Sequence, residues 1–107
     1  MSLDAVNWNA DGLIPAVAQC AETGAVLMLA WMSPESLRIT LETGHVTYWS
    51  RSRQALWQKG ATSGHEQTLV EARLDCDADT VLMKVKQKGP ACHLGTRTCF
   101  DREALSP

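Results

Sequence analysis

Residues 75–79 read D-C-D-A-D, one soft thiol among three hard carboxylates at alternate positions. Packing gives no reason for the pattern, because aspartate is depleted in strands and is rarely buried without a partner. Chemistry does. Close carboxylates repel one another, a bound divalent cation relieves the repulsion, and oxygen donors suit Mg²⁺ or Ca²⁺. In extended backbone Asp75, Asp77 and Asp79 would share one face and Cys76 would point to the other. A helix-flanked calcium loop is excluded, since Thr80 stands where its glycine belongs and Lys86 where its glutamate belongs. A solvated acidic turn between two strands remains the plainer reading of the same residues.

Cys76, Cys92 and Cys99 fall within 24 residues, two of them in the polar stretch G-P-A-C-H-L-G-T-R-T-C-F. Cysteines in a Gly-rich loop beside His read as metal ligands, whereas Cys20, set in an apolar run, reads as a core thiol. Three thiolates with a fourth position open is a catalytic zinc pattern, and a closed structural site needs a fourth protein ligand. The spacing C-x15-C-x6-C matches no common zinc finger. His93 either completes a structural site or stands beside the metal's water as an acid/base.

A third cluster, Y-W-S-R-S-R-Q-A-L-W-Q-K-G-A-T-S-G-H at 48–65, is basic and aromatic. Arg51, Arg53 and Lys59, with Ser50, Ser52, Thr62 and Ser63, are dense donors for phosphate, and Gly60 and Gly64 let backbone amides approach. Trp49 and Trp57 could stack on a base. The alternative is a solvated loop whose tryptophans anchor the core. His45 and His65 have no evident partner in the sequence, and His45 reads as a surface or satisfied core residue. A soft metal site, a hard metal site and a phosphate-and-base site together point to metal-assisted hydrolysis of a nucleotide.

The elements that must position these groups are short. L-I-P-A-V-A-Q-C (13–20) and A-V-L-M-L-A-W-M (25–32) predict a β-hairpin turned at Gly24, with Pro15 marking the first strand as an edge. Ser33 as N-cap, Pro34 at the first helical position and Gly44 as stop predict a helix over 34–43. A β-branched and aromatic strand follows at 45–50. The polar segment 51–66 predicts a loop with a helical turn at 54–57. Strands are expected at 67–75 and 80–87, the first alternating Leu69, Glu71 and Arg73 against Val70, Ala72 and Leu74. From Gly89 onward the chain reads as a Cys-containing loop. The class is α+β: an antiparallel-rich sheet with one main helix, as a single domain over 1–107.

Composition sets the bounds. Apolar residues are 45% and charged residues 21%, the profile of a globular chain with a real core. Ten basic against twelve acidic residues, net −2, argue against a general nucleic-acid footprint. The longest apolar runs are too short to span a bilayer, and M-S-L-D-A-V-N-W-N-A-D lacks the features of a signal peptide. The expected setting is the cytoplasm, without a membrane partner, where four cysteines mean metal or catalysis rather than disulfides.

Y-W-S-R-S-R, L-W-x-K-G-x-T-S-G-H, R-L-D-C-D-A-D, G-P-A-C-H and R-T-C-F, in that order, resemble the phosphoribosyl-AMP cyclohydrolases of histidine biosynthesis, from about Gly12 to Arg102. The resemblance implies opening of an N1-substituted adenine ring, with water added at C6 and the N1–C6 bond broken. It implies one Zn²⁺ per subunit on Cys76, Cys92 and Cys99, and one Mg²⁺ on Asp75, Asp77 and Asp79. His93, next to Cys92, is then the acid/base candidate for moving the proton to the departing N1. A small-molecule nucleotide substrate is then met by Trp49, Arg51, Ser52, Arg53, Trp57, Lys59, Ser63, His65 and Arg97. A homodimer with active sites at the subunit interface is also implied. The fused pyrophosphohydrolase domain of some members is not expected over these residues. The likeness departs at Gln58, where a basic residue is common, and at Asp101, where an aromatic often follows Phe. Two rivals are a non-catalytic structural-zinc module and a zinc nucleobase deaminase. The second expects H-x-E and P-C-x-x-C, and neither string occurs.

Overall fold

A computed structural model describes residues 3–107. Six strands form one sheet around a single α-helix: β1 (Ile14–Cys20), β2 (Val26–Met32), α1 (Pro34–Thr43), β3 (Thr47–Ser50), β4 (Ala55–Gln58), β5 (Gln67–Leu74) and β6 (Val81–Gln87), after a short 3₁₀ turn at Leu3–Ala5. The α+β class expected from the sequence holds. The strand order is β4-β3-β2-β1-β6-β5. Neighbours are antiparallel except β1 and β6, which run parallel, so the sheet is mixed.

The helix follows its punctuation. Ser33 accepts from the Ser36 backbone N–H, the Ser36 hydroxyl accepts in return from the Ser33 N–H, and Gly44 closes the helix in the left-handed region at φ 78°. Leu37 and Thr40 bury against the sheet. Thr40 reaches across to β3, its hydroxyl accepting from the Thr47 N–H at 2.9 Å. One sheet face, with Ile14, Ala16, Ala18, Met28, Met32, Val81, Met83 and the fully buried Tyr48, is the core. The opposite face is apolar too: the register sets Val17, Leu29, Trp31, Trp49, Leu56 and Leu82 on it, with Leu29 49% exposed.

Three local expectations are corrected. Pro15 does not mark an edge, because β1 lies inside the sheet. Its pairing with β6 begins at Ala16, so the missing N–H costs that ladder nothing. Residues 55–58 are strand β4 rather than a helical turn, since Gln54 turns the chain at φ 51° and cross-strand pairing with β3 outweighs local propensity. The alternation of β5 breaks at Val70, a bulge between Leu69 and Glu71 that leaves Val70 54% exposed. The sheet also curls. The β5 edge meets the chain entering β3 through Val46 N–H to Gln67 O at 3.1 Å and Leu69 N–H to Gly44 O at 2.8 Å, flanking a His45–Thr68 bridge. Among the described residues no helix is long and apolar enough to cross a membrane.

Candidate active site

The acidic group forms first, from sequence-local contacts. Residues 75–80 are a tight turn between β5 and β6, not the extended segment expected from alternation, with Ala78 in the left-handed region at φ 61°. The turn closes through Asp75 N–H to Thr80 O and Ala78 N–H to Asp75 O, both 3.0 Å. Asp75 Oδ1 accepts from the N–H groups of Asp79 at 3.1 Å and Thr80 at 3.2 Å. Ligand oxygens of Asp75, Asp77 and Asp79 lie within 4.8 Å of one another, and all three residues are exposed. Despite opposing desolvation, the N–H donors hold the Asp75 carboxyl below its ordinary range. A hydrogen bond shared with Asp77, then desolvation and the nearby charges, pushes Asp79 up. Such mutual repulsion is what a divalent cation would relieve.

The thiols divide. Cys76 stands exposed in the same turn, ahead of β6, while Cys92 and Cys99 follow the strand. Seven residues of β6, roughly 20 Å of extended chain, therefore separate Cys76 from Cys92. Cys92 is fixed by a bond within the loop, its N–H donating to Thr96 O at 3.2 Å, and Cys99 is tied to β2, its N–H donating to Leu27 O at 2.7 Å. Hydrogen bonding from the Leu94 backbone and Thr96 lowers the Cys92 thiol, and burial raises that of Cys99, leaving one readier than the other to become thiolate. Among the described residues, the aspartates are the one group of three His, Cys, Asp or Glu side chains close enough to share an ion.

A cleft of about 630 Å³ opens beside Cys92 and His93, walled by β4, the 60–65 loop and Pro90–Ala91. It gathers Arg53, Trp57, Lys59, Ser63 and His65 of the expected binding set. Lys59 is only 9% exposed, and its Nζ donates to the Ala91 carbonyl while lying 5.3 Å from the Trp57 ring centre. Desolvation lowers the Lys59 pKa, against the pull of the Cys99 and Cys92 charges. Gly60, at φ 82°, lets the loop pass directly over the His65–Glu66 backbone, where a Cβ would collide with main chain.

Other expected residues lie elsewhere. Trp49 and Arg51 line a second cleft of about 440 Å³ with Ser33 and Gln54, and the Arg51 guanidinium sits 4.5 Å over Trp31. Ser52 is exposed beside Ser50, their hydroxyls 3.4 Å apart. Arg97 braces the thiol loop: it donates to the carbonyls of Gln87 and Gly89 and to Cys20 Sγ at 3.6 Å. The Ala91 carbonyl that seats Lys59, and the amides of Gln67 and Gln87 behind the cleft, were not singled out by sequence reasoning. The one available signal was that both glutamines stand at facing ends of adjacent predicted strands.

The profile of the phosphoribosyl-AMP cyclohydrolase family matches residues 28–101, most of the chain and all the site segments just described. The chain belongs to the phosphoribosyl-AMP cyclohydrolase family. Curated relatives carrying that name agree over nearly the full length. The protein of Marinobacter nauticus is 60% identical over 94% of this chain and 73% of its own. That of Nocardioides sp. is 63% identical over 92% and 80%. That of Streptomyces griseus is 65% identical over 91% and 78%. As a cyclohydrolase-family chain it is an enzyme, a hydrolase of histidine biosynthesis, and the residues of its larger cleft acquire a chemical context.

Proposed function

We propose that this chain hydrolyses 1-(5-phosphoribosyl)-AMP, opening the adenine ring between N1 and C6. The observation that carries the reading is the cleft that sets Cys92 and His93 opposite Arg53, Trp57, Ser63 and His65 in a cyclohydrolase-family chain. The donors fit the metals implied: soft thiols for Zn²⁺, and three carboxylates within 4.8 Å for Mg²⁺. Because β6 holds Cys76 apart from Cys92 and Cys99, the ligand set is completed by Cys76 of one protomer with Cys92 and Cys99 of the partner subunit. The half-exposed apolar face around Leu29, Trp31 and Leu56 supports the presence of that second copy.

Bound by thiolates, zinc supplies a water activated at neutral pH, its pKa lowered from ~16 toward ~7. The chain's own groups do the rest. Trp57 offers a ring face to the purine. Arg53 and Ser63, with Arg51 and Ser52 beyond the cleft, meet the phosphates, and Asp75, Asp77 and Asp79 would hold the Mg²⁺ whose charge would offset theirs. His93 hands a proton to N1 as the N1–C6 bond breaks, so that nitrogen leaves neutral. Lys59, buried beneath, stands close enough to both cysteines for its ammonium form to favour their thiolates.

The test is direct. Purified protein given zinc and Mg²⁺ should convert phosphoribosyl-AMP with the ultraviolet change of ring opening, and chelation should abolish the change until metal is restored. Conversion that persists at full rate after verified metal removal would overturn the metal assignment. Failure of the metal-loaded protein to turn over would overturn the function.

A further inference from the structure

We propose that Gln67 and Gln87 are positioning residues, a two-amide relay behind the cleft that fixes His65 on one side and Trp57 on the other. The inference rests on the cleft reading above and adds to it the means by which two of its walls are held.

The relay starts from an expensive placement. Gln67 is 1% exposed, and a buried amide costs free energy unless every polar atom is matched. Here all are. Gln67 Oε1 accepts from the Tyr48 hydroxyl at 2.6 Å, and its Nε2 donates to Gln87 Oε1 at 2.8 Å and to Met28 Sδ at 3.4 Å. The two glutamines face each other as a cross-strand pair of β5 and β6. Gln87 Nε2 then donates to the carbonyls of His65 and Lys88, both at 3.2 Å. Each amide is thereby locked in one orientation: reversing Gln67 would set its oxygen against Gln87 Oε1, and reversing Gln87 would set its nitrogen against Gln67 Nε2 and its oxygen against two carbonyls.

Both ends of the relay reach the cleft. His65 is gripped three ways: its N–H by Ser63 Oγ at 3.2 Å, its carbonyl by Gln87, and its ring by Gly89, where a Cβ would stand 2.6 Å from Cδ2. At the other end Tyr48, held by Gln67, packs on Trp57 with ring centres 5.4 Å apart. Leucine or methionine would fill the Gln67 slot without needing partners, so what the amides add is direction.

The experiment is a double-mutant cycle on the metal-loaded enzyme with phosphoribosyl-AMP: Gln87→Met, His65→Ala and the pair, reading kcat, KM and the thermal midpoint. Gln87→Met should raise KM about 5–20-fold with kcat within about threefold, and in the His65→Ala background its further effect should fall below about twofold. A merely structural role would move the midpoint and leave that split and that coupling absent. An unchanged KM in Gln87→Met while His65→Ala is impaired overturns the relay alone. Equal effects in both backgrounds do the same. A His65→Ala enzyme with normal KM overturns the cleft reading, and the relay with it. Should Gln87→Met not fold, Gly89→Ala pushes on the same ring from the other side. Its rise in KM must then vanish when His65 is alanine, and a rise that persists there overturns the proposal.

Discussion

His93 and Lys59 show how neighbouring polar groups in one cleft take different tasks. Lys59 is turned inward, its charge seated on the Ala91 carbonyl and the Trp57 face, so its effect on the chemistry runs through Cys92 and Cys99. His93 is exposed at the mouth of the same cleft, free to meet substrate. His93→Ala should therefore retain its zinc and lose about 10²–10⁴ in turnover, the worth of a positioned proton transfer. Metal analysis beside steady-state rates checks it, and a zinc-free variant would make His93 a ligand instead. Arg97 carries a structural task as well as a charge. It stands in a run that invites phosphate, yet its guanidinium ties the thiol loop to the end of β6.

At the scale of elements, glycines divide by what stands over them. Gly24 turns the β1–β2 hairpin at φ 79° with open space within 4 Å of where a Cβ would stand, whereas Gly60, at φ 82°, would drive a Cβ into the His65–Glu66 main chain. Gly24→Ala should cost about 1 kcal/mol for the left-handed backbone, lowering the thermal midpoint by roughly 4–8 °C. Gly60→Ala should cost at least twice that and weaken substrate binding as His65 moves. Equal midpoints for the two variants would remove the steric argument. The hairpin and α1 were legible because their signals are local: Gly24, Ser33, Pro34 and Gly44 each act within a few residues. β4 was missed because its partner β3 decides it, and the bulge at Val70 because register belongs to two strands. Within the site, the motifs named Arg53, Trp57, Lys59, Ser63 and His65, which the fold gathers in one cleft with Cys92 and His93. The strand that parts Cys76 from Cys92 was already expected at 80–87, whereas the hydrogen bonds through Gln67 emerge only when β5 and β6 are laid side by side.

For the whole molecule, the proposal that two chains share each thiolate site has a consequence that mixing can expose. Inactive Cys76→Ala and Cys92→Ala chains, unfolded and refolded together with zinc, should recover about a quarter of wild-type activity, since about half of randomly paired dimers are mixed and each holds one intact site. No recovery in demonstrated mixed dimers would mean that one chain supplies all three thiols. The curl of the sheet bears on a different hazard. An open strand edge is a template for runaway addition of other chains. Here β5 has one half of its edge occupied by the segment entering β3 and the other half kinked at Val70, while β4 at the opposite margin is only four residues long. Neither margin offers a long straight ladder, so a concentrated solution of the folded chain is guarded against fibril-like stacking by its backbone, whatever its apolar face attracts.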